Sequence, residues 1–178
     1  HFYDKGGPMN TVFIADDELI IRQGIKCIID WEQLGFEIIG EASNGVDALN
    51  FILNKQPDLV LMDIRMPKML GLDVVEAARN KGFNGKVIIL SGYTDFKYAQ
   101  AAIKNGVDYY LTKPIDEDEL YETVDSIRSQ ISKEAEDKET LSTYRDKAKS
   151  MILFDILTGT STINNIDDMN IDACLLYT

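Results

Sequence analysis

Histidine occurs once in the 178 residues, at position 1, and cysteine twice, at Cys27 and Cys174. A metal centre of imidazole and thiolate ligands is therefore out of reach, and any metal must be held by oxygen, which favours magnesium, manganese or calcium over zinc. The two cysteines show no paired spacing and lie among apolar residues, so they read as reduced, buried thiols. Cationic residues are also scarce. Lys and Arg number 18 against 30 Asp and Glu, for a formal charge of −12, which excludes a grip on nucleic acid by this stretch itself, because phosphate contacts need clustered cations. Apolar runs long enough to cross a bilayer and signal-peptide patterns are missing too, so the expected location is the cytoplasm, with no membrane contact. There is no Walker-type glycine loop and no kinase motif set, so any phosphoryl donor has to be external.

What remains is an ordinary globular composition, 45% hydrophobic and 27% charged. The length suffices for one well-cored domain with about fifty residues over. Residues 1–8 end in Gly6-Gly7-Pro8 and read as an expression scar, with native sequence from Met9. The most informative stretch runs from Asp58 to Pro67. It is short, apolar and stopped by a proline, as expected of a strand buried on both faces of a parallel sheet, and it carries Asp63 at its carboxyl end. In open α/β sheets ligands bind at that edge. Taken alone, Asp63 reads more readily as a solvated or helix-capping aspartate just past a strand.

Four further strands are expected at 11–15, 36–42, 86–90 and 107–111. The intervening helices begin after the three acids Asp16-Asp17-Glu18, with Leu19, Ile20, Ile21, Gly24, Ile25, Ile28 and Ile29 as an apolar face, and then cover 46–53, 71–79 and 95–104. Asn105-Gly106 makes a left-handed stop. A last helix starts at Asp116 and runs through Leu120, Val124, Ile127 and Ile131. Strict alternation with short links implies right-handed βαβ units, an α/β doubly wound sheet of five parallel strands.

In such a sheet Asp16 and Asp17, Asp63, Ser91 and Lys113 all follow strands and collect at one edge. Three carboxylates there repel unless a cation sits among them, and magnesium is the natural choice. A hydroxyl and an ammonium beside them can hold phosphoryl oxygens. The set reads as a phosphoryl-transfer site with a carboxylate nucleophile. Tyr110 has two readings, a core aromatic of the last strand or a residue acting with this site.

The pair Asp16-Asp17, Met62-Asp63-Ile64-Arg65-Met66-Pro67, Ser91-Gly92-Tyr93 and Tyr110-Leu111-Thr112-Lys113-Pro114 resemble the motif set of a two-component response-regulator receiver domain. Trp31-Glu32-Gln33-Leu34-Gly35-Phe36 and Ser91-Gly92-Tyr93-Thr94-Asp95-Phe96-Lys97-Tyr98-Ala99 are similar to YesN-like regulators, whose receivers usually precede an AraC-type helix-turn-helix domain. The resemblance implies a flavodoxin-like, CheY-like strand order 2-1-3-4-5. It makes Asp63 the phospho-acceptor, with Lys113 and Ser91 assisting catalysis and Ser91 and Tyr110 acting as the switch pair. Magnesium would be held by Asp17, Asp63 and the backbone carbonyl of Arg65, with Asp16 acting through water. It further implies a cis bond at Lys113-Pro114, a sensor histidine kinase as donor and homodimer formation on phosphorylation. The domain would catalyse only its own phosphorylation and dephosphorylation. Leu70 departs from the pattern, which often has an acid before the glycine matched by Gly71. The rival reading is a magnesium-dependent phosphatase of the haloacid-dehalogenase kind; those enzymes carry a second acid two residues after the nucleophile, where this chain has Arg65.

The receiver would span 9–131. Residues 132–178 read as a helical linker, with thin apolar periodicity at Leu141, Tyr144 and Ala148, followed by a loop at 159–162 and the truncated start of another domain. DNA contact would come only through a helix-turn-helix domain that this chain lacks.

Overall fold

Strand segments made of Val, Ile, Leu, Met and Phe can be stable only where both of their faces are covered, and the structure covers both. The computed structural model describes residues 9–92 and 106–158. Strands β1 (Asn10–Ala15), β2 (Phe36–Ala42), β3 (Leu59–Asp63), β4 (Lys86–Ser91) and β5 (Tyr109–Thr112) form one parallel sheet in the order β2-β1-β3-β4-β5. All of β3 is buried. Alternate residues of the central strands enter two separate clusters. Phe13, Val60, Met62 and Ile89 pack with Ile52 of helix α2 (Gly45–Lys55) and Val75 of helix α3 (Gly71–Asn80). Ile14, Leu59, Leu61 and Leu90 pack with Ile25 of helix α1 (Leu19–Ile28) and with Val124 and Ile127 of helix α4 (Glu117–Thr158). The period of two along a strand feeds both layers, and each large side chain so buried contributes about 1.5–3 kcal/mol.

Helix boundaries follow local chemistry. Asn44 caps α2 by accepting the Asp47 N–H at 3.0 Å, and α2 ends where Gln56 turns left-handed at φ +48. Asp116 accepts the Glu119 N–H at 3.0 Å, so α4 opens one residue after its cap. The chain divides into two units, His1–Ser132 and Lys133–Thr178. In the second, 133–158 is helical, with exposed side chains where these are described. No helix among the described residues is long and apolar enough to cross a membrane. The expected helix 95–104, the loop 159–162, the scar at 1–8, Cys174 and the start of a following domain lie outside the described residues.

Two readings need correction. The apolar face of α1 is narrower than its sequence suggests: Leu19 and Ile20 are 58% and 74% exposed, Gly24 is exposed, and the cation Arg22 is buried in their place. Only Ile25 and Ile29, with Ile21 and Ile28 partly, reach the sheet. Cys27 is exposed, not buried, because it shares the outward stripe of α1 with Gln23 and Gly24.

Candidate functional site

Parallel register brings the strand ends together. Ala15 pairs with Met62, Asp63 with Leu90, and Ser91 with Thr112, so Asp16, Asp63, Ser91 and Lys113 emerge at one edge of the sheet. Asp16 is fully buried at the end of β1. Its Oδ1 accepts the Glu18 N–H at 2.9 Å, which closes the turn leading into α1, whose cap residue Glu18 makes no side-chain capping bond. Its Oδ2 takes the Lys113 ammonium at 2.6 Å.

Asp63, 5% exposed, ends β3. Its Oδ1 lies 2.8 Å from Lys113 Nζ and its Oδ2 accepts the Arg65 N–H at 2.9 Å. Burial pushes the Asp63 carboxyl above its usual range; the hydrogen bond and charge of Lys113 oppose this, and Asp16 adds to it. Burial acts to lower the Lys113 pKa, but its hydrogen bonds and charge attraction to Asp16 and Asp63 outweigh that and hold it above the ordinary lysine value. The ammonium thus stays charged between two carboxylates. Its backbone is fixed as well: the Lys113 N–H donates to Ser91 O at 2.7 Å, and the Lys113-Pro114 bond is cis.

Ser91 is buried at the end of β4. Tyr110 is half-buried in β5, pairs with Ile89 and packs against the α2/α3 side of the sheet. Tyr109 packs on the opposite side, where its hydroxyl meets Ser126 and Gln130 at 2.9 and 2.8 Å. Arg65 follows Asp63 as an exposed loop residue.

Among the described residues, the carboxylates of Asp16, Asp17 and Glu18 offer oxygens all within 4.8 Å of one another. Asp63 is outside that trio and is joined to Asp16 through Lys113. An all-oxygen set of this density fits a hard divalent cation. Glu18 is a member that the sequence reading passed over, although it is the third acid of an unbroken run. Arg22 was passed over too. Its Nη1 donates to Asp16 O at 2.8 Å, which fixes the turn carrying the acids; a cation inside the apolar stripe of α1 was the available signal.

The sequence matches the response regulator receiver domain family over residues 12–125. It is 38% identical over 126 residues to YesN of Bacillus subtilis, an uncharacterized transcriptional regulatory protein, covering 71% of this chain and 34% of that protein. The structure is similar to the receiver domain of AraT, a response regulator from Geobacillus stearothermophilus, with a TM-score of 0.68 and 41% identity over 71% of this chain and 98% of that one. It is also similar to a CheX-CheY complex from Borrelia burgdorferi that holds BeF3 and magnesium, with a TM-score of 0.61 and 27% identity over 66% of this chain and 88% of that one. The chain spans about a third to a half of the length of the curated relatives it matches.

Proposed function

The chain belongs to the response-regulator receiver family, and from that premise we propose that Asp63 accepts a phosphoryl group from a phosphohistidine on a sensor kinase. One observation carries the reading: the Lys113 ammonium sits 2.6 Å from Asp16 and 2.8 Å from Asp63, so the buried carboxylate has a fixed cation beside it at the strand edge. An Asp63 oxygen forms a bond to phosphorus as the phosphorus–nitrogen bond of the donor breaks. The nitrogen takes up a proton, and an acyl phosphate is left on the aspartate. Lys113 then holds a phosphoryl oxygen, and Ser91 offers its hydroxyl to another.

Asp17, Asp63 and the Arg65 carbonyl would ligate magnesium, with Asp16 and Glu18 behind them. When bound, magnesium neutralises charge on the transferring group. The reaction is the domain's own phosphorylation and dephosphorylation, without turnover of a free metabolite. The exposed cation Arg65 occupies the position where the rival phosphatases carry their second acid, which favours an acceptor over a phosphatase.

Ser91 drawn toward the phosphoryl group vacates space into which Tyr110 turns, and phosphate shifts that pair only by its differential contacts with the two states. The altered face favours pairing of two copies. On this reading 9–131 is the receiver, the helix beyond 132 is a linker toward a DNA-binding output domain, and the protein works in the cytoplasm beside its kinase. The test is incubation with magnesium and a small phosphodonor, followed by location of a labile acyl phosphate by mass. Phosphate on Asp63 is expected; none, or phosphate elsewhere, overturns the reading.

A further inference from the structure

The loop after Asp63 is held from two sides by glycines. Gly71, which opens α3, donates its N–H to Ile64 O at 2.9 Å, and a Cβ added to it would lie 2.0 Å from Asp63 O. Gly45 opens α2, on a different part of the chain, and donates its N–H to Pro67 O at 3.1 Å. A Cβ there would lie 2.2 Å from Met69 O and 2.6 Å from Met69 Cβ. Between Pro67 and Met69 stands Lys68 at φ +70, a left-handed backbone that a lysine keeps only where its surroundings impose it. Gly45 thus touches the loop on both sides of its strained residue, while the buried Met66 anchors the loop in the core.

We propose that Gly45 is a positioning residue for the acceptor loop. Its N–H and bare Cα form a stop that sets the path of Pro67, Lys68 and Met69, and through them the placement of the Arg65 carbonyl and the Asp63 carboxylate. Gly45 touches no reacting atom itself. The sequence shows Asn44-Gly45 only as a turn ahead of a helix; its closeness to Met69 exists only in the fold. The inference rests on Asp63 being the phosphoryl acceptor with magnesium beside it.

The test compares wild type with Gly45→Ala, with Asn44→Ala, which removes the cap of α2 without adding an atom, and with Gly24→Ala, where nothing lies within 4 Å of an added Cβ. Each is measured for urea unfolding, for the magnesium concentration that half-saturates the rise in melting temperature, and for the rate of acyl phosphate formation from a small phosphodonor. Gly45→Ala is expected to raise the magnesium half-saturation and lower the rate by about 10-fold or more, as loss of groups that orient metal ligands does. Asn44→Ala moves both the same way by less, and Gly24→Ala moves neither. A folded Gly45→Ala with wild-type magnesium response and rate overturns the proposal. So does an unaltered Asn44→Ala if Gly45→Ala fails to fold. A wild type that binds magnesium but never carries phosphate defeats the acceptor reading, and the magnesium half-saturations then decide on Gly45.

Discussion

Replacing Lys113 by methionine keeps the length of the side chain and removes the ammonium that Asp16 and Asp63 share. With Nζ at 2.6 and 2.8 Å from the two carboxylates, Coulomb's law at an effective dielectric near 20 gives an attraction of about 6 kcal/mol to each. Most of that offsets the desolvation of three buried charges. What the variant loses is set by two carboxylates left buried together, and breaking a buried pair by removing one partner costs about 3–5 kcal/mol. Urea unfolding without magnesium at neutral pH should therefore show Lys113→Met less stable by about 3 kcal/mol or more, through a lower midpoint at unchanged slope. The loss should shrink in an Asp63→Asn background, where one buried charge is gone, and the coupling in that double-mutant cycle should be at least about 1 kcal/mol. It should also shrink as pH falls, because a protonated Asp63 needs no cation. A loss under about 1 kcal/mol, or additive effects of the two substitutions, would refute the shared-cation picture.

Asp63→Asn should show no acyl phosphate by mass after treatment with a small phosphodonor. Because the folded-state pKa of Asp63 is raised, the fold favours its protonated form, and wild type loses stability as pH climbs through the window between the unfolded and folded values. Without magnesium, the asparagine variant should thus match wild type in acid and exceed it at neutral pH; melting curves across pH decide this, and a less stable variant at neutral pH would contradict it. Magnesium at a hundredfold over its dissociation constant should stabilise wild type by about 2.7 kcal/mol, read as a rise in melting temperature; a flat titration would count against the acidic site. Wild type should associate more strongly in sedimentation when a phosphoryl mimic and magnesium are present, and Ser91→Ala much less so. Mimic binding without any change in association would refute the Ser91 and Tyr110 route.

The sheet was legible in the sequence because its physics is local. An apolar run this short, closed by Pro67, reads as a strand covered on both faces, and Asp63 at its end follows. Lys113 meeting Asp16 across 97 residues was legible only through topology, since parallel strands return every carboxyl end to one edge. Arg22 escaped because burial of a cation depends on the carbonyl it finds, here that of Asp16. The α1 face is narrower than its apolar residues suggest because Leu19 and Ile20 sit on the exposed side of the helix. Cys27 shows the limit of composition, which gives a residue's habit and not its side of the helix.

Strand β5 has four residues and lies at the edge of the sheet, hydrogen-bonded to β4 alone. Edge strands of that length open most easily in local fluctuations. Here opening would also draw the Lys113 side chain out from between Asp16 and Asp63, so the edge cannot fray without exposing two buried carboxylates to each other. The free energy of a purely local event is in this way tied to the charge state of a site two strands away. Amide hydrogen exchange in β5 should accordingly speed up in Lys113→Met by more than in β2, the opposite edge, which would make solvent exchange at one end of the sheet a direct gauge of the electrostatics at its centre.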